Sequence, residues 1–158
     1  MNRLSKKIKE KVAVNQAGFR RNRGTRDHLF NLTNIIQKHN EVNKELRICF
    51  IDYSKAFDFV NHEKLWQTLN EMHIDPKLIS LLKSLYEKQQ AMVQLQNMKT
   101  EPFKVGKGMR QGCILSPHLF NLYTETIMRK VAEDERSSGY DEVNMHGRKV
   151  RELRYADD

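Results

Sequence analysis

At 158 residues, 39% of them apolar and 30% charged, the chain can bury one hydrophobic core and falls outside the sparse-hydrophobe, high-charge regime of disordered proteins. Its formal charge of +8 arises entirely in residues 1–26, where Arg3, Lys6, Lys7, Lys9, Lys11, Arg20, Arg21, Arg23 and Arg26 face the single acid Glu10; such a run is either a solvated basic face or a surface for the phosphates of nucleic acid or nucleotide. The two cysteines, Cys49 and Cys113, lack Cys-x-x-Cys spacing, which argues against zinc and for a reducing compartment, and with no signal-peptide or membrane-length apolar run an intracellular, soluble protein of cytoplasm or nucleus is expected.

A basic helix is predicted over residues 3–12, with Leu4, Ile8 and Val12 on one stripe. The loop "NQAGFRRNRGTRD" follows. Helical spacing then returns at Leu29, Leu32, Ile35, Ile36 and Val42, with Thr25 as the expected cap. "LRICFIDY" (46–53) is rich in β-branched and aromatic residues and reads as a mostly buried strand ending at Asp52; Cys49 and Cys113 are each expected as small buried hydrophobes. One helix is predicted from about Asn61 with Leu65, Trp66 and Leu69. The next has Asp75 as cap and Pro76 at its first position. "AMVQLQ" and "EPFKVG" predict two strands around the turn "NMKT". "GKGMRQGCILS" is a loop, Pro117 opens a helix with Ser116 as its cap, and "YDEVNM", the turn "HGR" and "KVRELRYADD" predict a closing hairpin. The order is mixed α+β and not the strict alternation of a doubly wound sheet.

Asp52 thus stands at the end of one predicted strand, and Asp157 with Asp158 at the end of another. Neighbouring strands lie ~4.8 Å apart, so such ends can meet. Converging carboxylates repel unless a cation sits among them, and Mg²⁺ takes oxygen ligands from few carboxylates, water and phosphate. Two such ions ~3.5–4 Å apart clamp an in-line phosphoryl displacement. An isolated Asp-Asp pair reads more simply as a solvated cap, so its company decides.

That company is "QAGFRRNRGTRD" (16–27), "FIDYSKAFDFV" (50–60), "GMRQGCILSPHLFNLYTE" (108–125) and "YADD" (155–158), in that order. Together they closely resemble the reverse transcriptases of LINE-type non-LTR retrotransposons and, more distantly, those of group II introns. The resemblance implies a right-hand polymerase architecture of fingers and partial palm, with 1–45 and about 76–107 fingers-like and 46–75 and 108–158 palm-like. It implies RNA-directed DNA synthesis from dNTPs on an RNA template and a DNA primer, with two Mg²⁺ ions, or Mn²⁺, as cofactor. Asp52 and Asp157 would be metal ligands and Asp158 the accessory acid. Phe57 matches the aromatic that crowds the sugar 2′ position, a role compatible with ordinary core packing. Asp58 fits the pattern and is read as structural.

By the same resemblance Gln111 would touch the nucleotide, Gly112 would allow close backbone approach, and Arg20 and Arg26 would face the triphosphate. The chain departs from the family pattern at Arg21 and Asn22, where Pro-Gly is usual, and at Asn61, where Asp is common. "GKGMRQG" lacks the Gly-Lys-Ser/Thr ending of a phosphate loop. None of the histidines (His28, His39, His62, His73, His118, His146) pairs with Ser or Cys in a nucleophile pattern, so all are expected on the surface or in packing.

The resemblance also leads us to expect that the returning strand, the primer-gripping element and the thumb are absent, leaving this chain alone with little processive activity. Two other readings stay open. A non-catalytic nucleic-acid-binding remnant of a retrotransposon would bind with steep salt dependence, and a metal-dependent nuclease would cleave without triphosphates.

Overall fold

The computed structural model describes residues 10–137, 143–145 and 147–158. Of the helix expected over 3–12, all but residues 10–12 lies outside that range, as do residues 140–142 and His146 of the expected closing hairpin. Helices make most of the architecture, joined by three small two-stranded antiparallel sheets among the described residues.

α1 (Thr25–Glu41) starts one residue earlier than a Thr25 cap requires, because Gly24 is the N-cap. Asp27 reaches back to accept the Gly24 N–H at 2.8 Å, placing a carboxylate near the positive end of the helix. The α1 apolar stripe is only partly used: Ile35 is buried, whereas Leu29, Phe30, Ile36 and Val42 are exposed.

α2 (His62–Glu71) and α3 (Pro76–Glu87) start where their caps predict. Asn61 accepts from Lys64 N–H at 3.0 Å, and Asp75 accepts from Lys77 N–H at 2.9 Å with Pro76 behind it. α2 packs on one side against α3 and on the other against the long helix α4 (Ser116–Ser137). The core is Val60, Leu65, Leu69, Met72, Ile74, Ile79, Leu82, Tyr86, Met109, Leu119, Phe120 and Leu122, joined by Val12. Full burial of each such side chain contributes about 1.5–3 kcal/mol. His62 adds a polar tie by donating Nε2–H to Gly108 O at 2.7 Å. Its ring also packs edge-on to Tyr86, with centroids 5.0 Å apart.

The two strands predicted between 91 and 106 are a stepped hairpin. β1 (Gln90–Ala91) pairs with β4 (Phe103–Lys104), and β2 (Gln94–Leu95) pairs with β3 (Met98–Lys99). The turn lies at Gln96 and Asn97, tighter than the predicted "NMKT", and Gln96 takes the left-handed conformation (φ +50°). β5 (Val143–Met145) and β6 (Arg148–Val150) form the third sheet.

The largest departure from the sequence reading is at 46–53. This run forms no strand, and Ile48, Phe50, Ile51 and Tyr53 are exposed. β-Propensity describes how a residue fits a pleated, half-buried surface. No described segment pairs with this one, so that surface is missing. Cys49 is accordingly exposed, and Cys113 is only half-buried.

On the first turn of α4, burial lowers the pKa of His118 from its ordinary value of about 6.5. The unfolded chain therefore binds a proton at pH values where the folded chain does not. Stability should rise with pH up to about 6.5 and then level off. Urea midpoints measured between about pH 5 and 7.5 should show this slope reduced in His118→Gln.

Candidate active site

Residues 155–158 fold into a tight two-residue turn. Tyr155 N–H donates to Asp158 O at 2.8 Å, and Asp158 N–H donates back to Tyr155 O at 3.0 Å. Ala156 and Asp157 occupy the corner, and of the two only Ala156 has positive φ, at +59°. That is the type II′ pattern, whose first corner position ordinarily takes glycine. Asp157 is half-buried at this corner and Asp158 is exposed.

The turn is held by residues 13–18. Ala17 N–H donates to Arg154 O at 2.8 Å and Arg154 N–H to Asn15 O at 3.0 Å, forming a parallel bridge between Gln16 and Arg154. Gln16 is 1% exposed. Its Oε1 accepts the N–H groups of Gly18 and Ala156 at 2.8 and 3.0 Å, and its Nε2 donates to Ala156 O at 3.2 Å. From α4, Asn121 Nδ2 donates to Gly18 O at 2.9 Å. From α1, His28 Nε2–H donates to Arg154 O at 2.9 Å.

Beneath the turn lies a buried ion pair. Arg154 Nη2 donates to Glu125 Oε2 at 2.9 Å and to Asn15 Oδ1 at 2.9 Å. Glu125 also accepts Ala13 N–H at 3.1 Å and Arg129 Nε at 3.0 Å. Such pairs lose much of their Coulomb gain to desolvation unless further hydrogen bonds satisfy the carboxylate. Here Glu125 has three donors.

Asp52 is exposed on the unpaired run 46–53, followed by turns at 54–59. Among the described residues no three His, Cys, Asp or Glu side chains are grouped closely enough to hold a metal ion. Asp52, Asp157 and Asp158 are thus not gathered into one cage, and this arrangement of donors does not fit the two-ion site that the motifs imply.

The remaining candidate residues are dispersed. Phe57 stacks on Phe120 with centroids 4.2 Å apart and meets Phe19 edge-on at 5.9 Å, so its packing role is real. Arg20 spends its Nη1 on Ala13 O (2.7 Å) and Gln16 O (3.3 Å), bracing the 13–20 loop. Arg26 is exposed in the first turn of α1. Gln111 is exposed and, with Lys88, Gln89 and Arg110, lines an open cavity of about 300 Å³. Gly112 has φ +75° with no atom within 4 Å of an added Cβ, so conformation and not close approach demands glycine there. Ser116 is the first residue of α4, and its hydroxyl donates to Arg110 O at 2.7 Å; it fastens the loop and does not cap the helix.

The sequence profile of the family described as reverse transcriptase (RNA-dependent DNA polymerase) matches residues 1–158. The chain belongs to the reverse transcriptase family. Similar proteins include the RNA-directed DNA polymerase from mobile element jockey of Drosophila melanogaster, 29% identical over 85% of this chain and 15% of the relative. The probable RNA-directed DNA polymerase from transposon BS of the same species is 30% identical over 78% of the chain and 14% of the relative. The polyprotein from type-1 retrotransposable element R2 of Nasonia vitripennis is 28% identical over 73% and 11%. These relatives agree with the LINE-type resemblance of the motifs. This reverse transcriptase chain spans 8–18% of the length of the relatives it matches.

Sequence reasoning missed Gln16, Asn121, Glu125 and Arg154 as the residues that hold the Tyr155–Asp158 turn and its supporting loop. One signal was available. Glu125 follows Leu122 by three and Asn121 by four, which puts a carboxylate and an amide on the buried face of α4.

Proposed function

We propose that this chain is the part of a retrotransposon RNA-directed DNA polymerase that carries its catalytic carboxylates, acting on a dNTP, a DNA primer and an RNA template. The family match over residues 1–158, which runs through the Tyr155–Asp158 turn, carries this reading. Residues 1–45 and about 76–107 are assigned to fingers, and 46–75 and 108–158 to palm. Asp52, Asp157 and Asp158 are assigned to Mg²⁺ or Mn²⁺. That assignment requires 46–53 to come beside the turn, a pairing absent from the described structure. Gln111 and Gly112 are assigned to the nucleotide, Arg20 and Arg26 to its phosphates, and Phe57 to rejection of a 2′-hydroxyl. The open cavity beside Gln111 supports the nucleotide assignment, because Lys88 and Arg110 supply positive charge there.

Primer extension on an RNA template with dNTPs and Mg²⁺ tests the proposal. Addition of the first nucleotides is expected, with a drop of at least about 100-fold in Asp157→Asn. Salt-steep nucleic-acid binding that is indifferent to Asp52→Asn and accompanied by no incorporation would replace the polymerase reading with that of a binding remnant. RNA cleavage in the absence of dNTPs would replace it with that of a nuclease.

A further inference from the structure

We infer that Gln16 is a positioning residue for Asp157, clamping both backbone polar groups of Ala156 so that the turn holds its carboxylate in one orientation. The inference rests on the polymerase reading only for what that orientation serves.

Three observations carry it. The first is strain: Ala156 is a non-glycine residue at φ +59°. Such conformations persist only where the surroundings over-determine them. The second is that Gln16 supplies the determination. Its amide is an acceptor and a donor on one rigid plane, and it uses the first on Ala156 N–H (3.0 Å) and the second on Ala156 O (3.2 Å). The same Oε1 takes Gly18 N–H at 2.8 Å, which fixes the amide against its own loop. The third is burial. Gln16 is 1% exposed, so its own amide has no water to exchange these bonds for. Asp157 is the next residue after Ala156, and rotating that peptide rotates the Asp157 side chain with it. Neither Arg20 nor Arg26, the basic residues the motif nominates in this loop, reaches the turn in this way.

The test uses the full chain with Gln16→Met, which keeps length and volume, and Gln16→Glu, which keeps an acceptor for Ala156 N–H but loses the donor to Ala156 O. Amide hydrogen exchange reads the clamp without reference to activity. In Gln16→Met the Ala156 amide should exchange about tenfold faster or more, while the α2 amides of Leu65 and Leu69 keep their protection. Single-nucleotide incorporation then reads the consequence. The kcat should fall by about tenfold or more, with the KM for dNTP within about twofold, because misplacement acts on the reacting geometry and not on ground-state binding. Gln16→Glu should fall between wild type and Gln16→Met in both readouts, and it serves as the readout if Gln16→Met does not fold. Unchanged Ala156 protection overturns the inference, as does faster exchange at Ala156 with an undiminished kcat. Failure of the wild type to incorporate any nucleotide would overturn the polymerase reading, and with it the catalytic purpose of the clamp, while the exchange result would still decide the clamp itself.

Discussion

Glu125→Ala is expected to destabilise the protein by about 3–5 kcal/mol, a large fraction of the 5–15 kcal/mol typical of a domain. Glu125 is 2% exposed and Arg154 is 7% exposed, so truncation leaves a buried guanidinium whose remaining carboxylate is Glu152, a longer contact at 3.4 Å from Nε. It also strips a partner from Ala13 N–H. The cost reflects the charge left behind and not the value of the pair. A double replacement, Glu125→Leu with Arg154→Met, is accordingly expected to recover most of the loss, since apolar groups of similar volume often match or exceed a buried ion pair. Arg129→Ala is the internal control. The Arg129 side chain is 53% exposed, and its removal should cost no more than about 1 kcal/mol. Urea unfolding of the three variants checks all of these values, and the single replacements Glu125→Leu and Arg154→Met complete a double-mutant cycle that isolates the coupling.

Gly18→Ala should be as damaging through a different cause. An added Cβ would lie 2.1 Å from Ala156 N and 2.7 Å from Ala156 Cα. Both are backbone atoms of a residue whose N–H and C=O are already tied to Gln16, so no rotamer change relieves the clash. Inserted methyl groups in packed interiors cost about 1–3 kcal/mol, occasionally more; the upper end or beyond is expected here, together with displacement of the Tyr155–Asp158 turn. Gly106 has no atom within 4 Å of an added Cβ and no positive φ. Gly106→Ala should therefore be neutral, or stabilising by about 0.4–1 kcal/mol through the unfolded chain. Thermal melts of the two variants give the comparison, and loss of Ala156 amide protection in Gly18→Ala locates the damage.

The helices were legible because their signals are local. Asn61, Asp75 and Pro76 act within one turn of where they stand, and the spacing of Leu65 and Leu69 states a buried face by itself. The run 46–53 was misread because a strand is a property of two segments. Its residue types describe what it would do beside a partner, and the described structure supplies none. The burial of α1 failed for the same reason: periodicity marks an apolar stripe at Leu29, Leu32 and Ile36, but only packing decides whether the stripe is covered. The motifs singled out Tyr155–Asp158 as a unit, but the strand expected to carry it stops at Val150, and the polar groups that hold its turn were invisible in the sequence. Gln16 and Ala156 are 140 positions apart, and Glu125 and Arg154 are 29 apart, so no window of sequence contains both partners of either contact.

Those separations also set an order of events. Closing a loop of this length costs chain entropy that must be met before any of its contacts can reward it, and contacts between distant positions slow folding. The α2–α3 hairpin can assemble from residues 62–87 alone, whereas the corner bearing Asp157 must wait for the 13–18 segment to be captured from the opposite end. A chain emerging from its ribosome presents Gln16 long before Ala156 exists. The same corner should be among the first regions to open when the protein is stressed, while the helices are still intact.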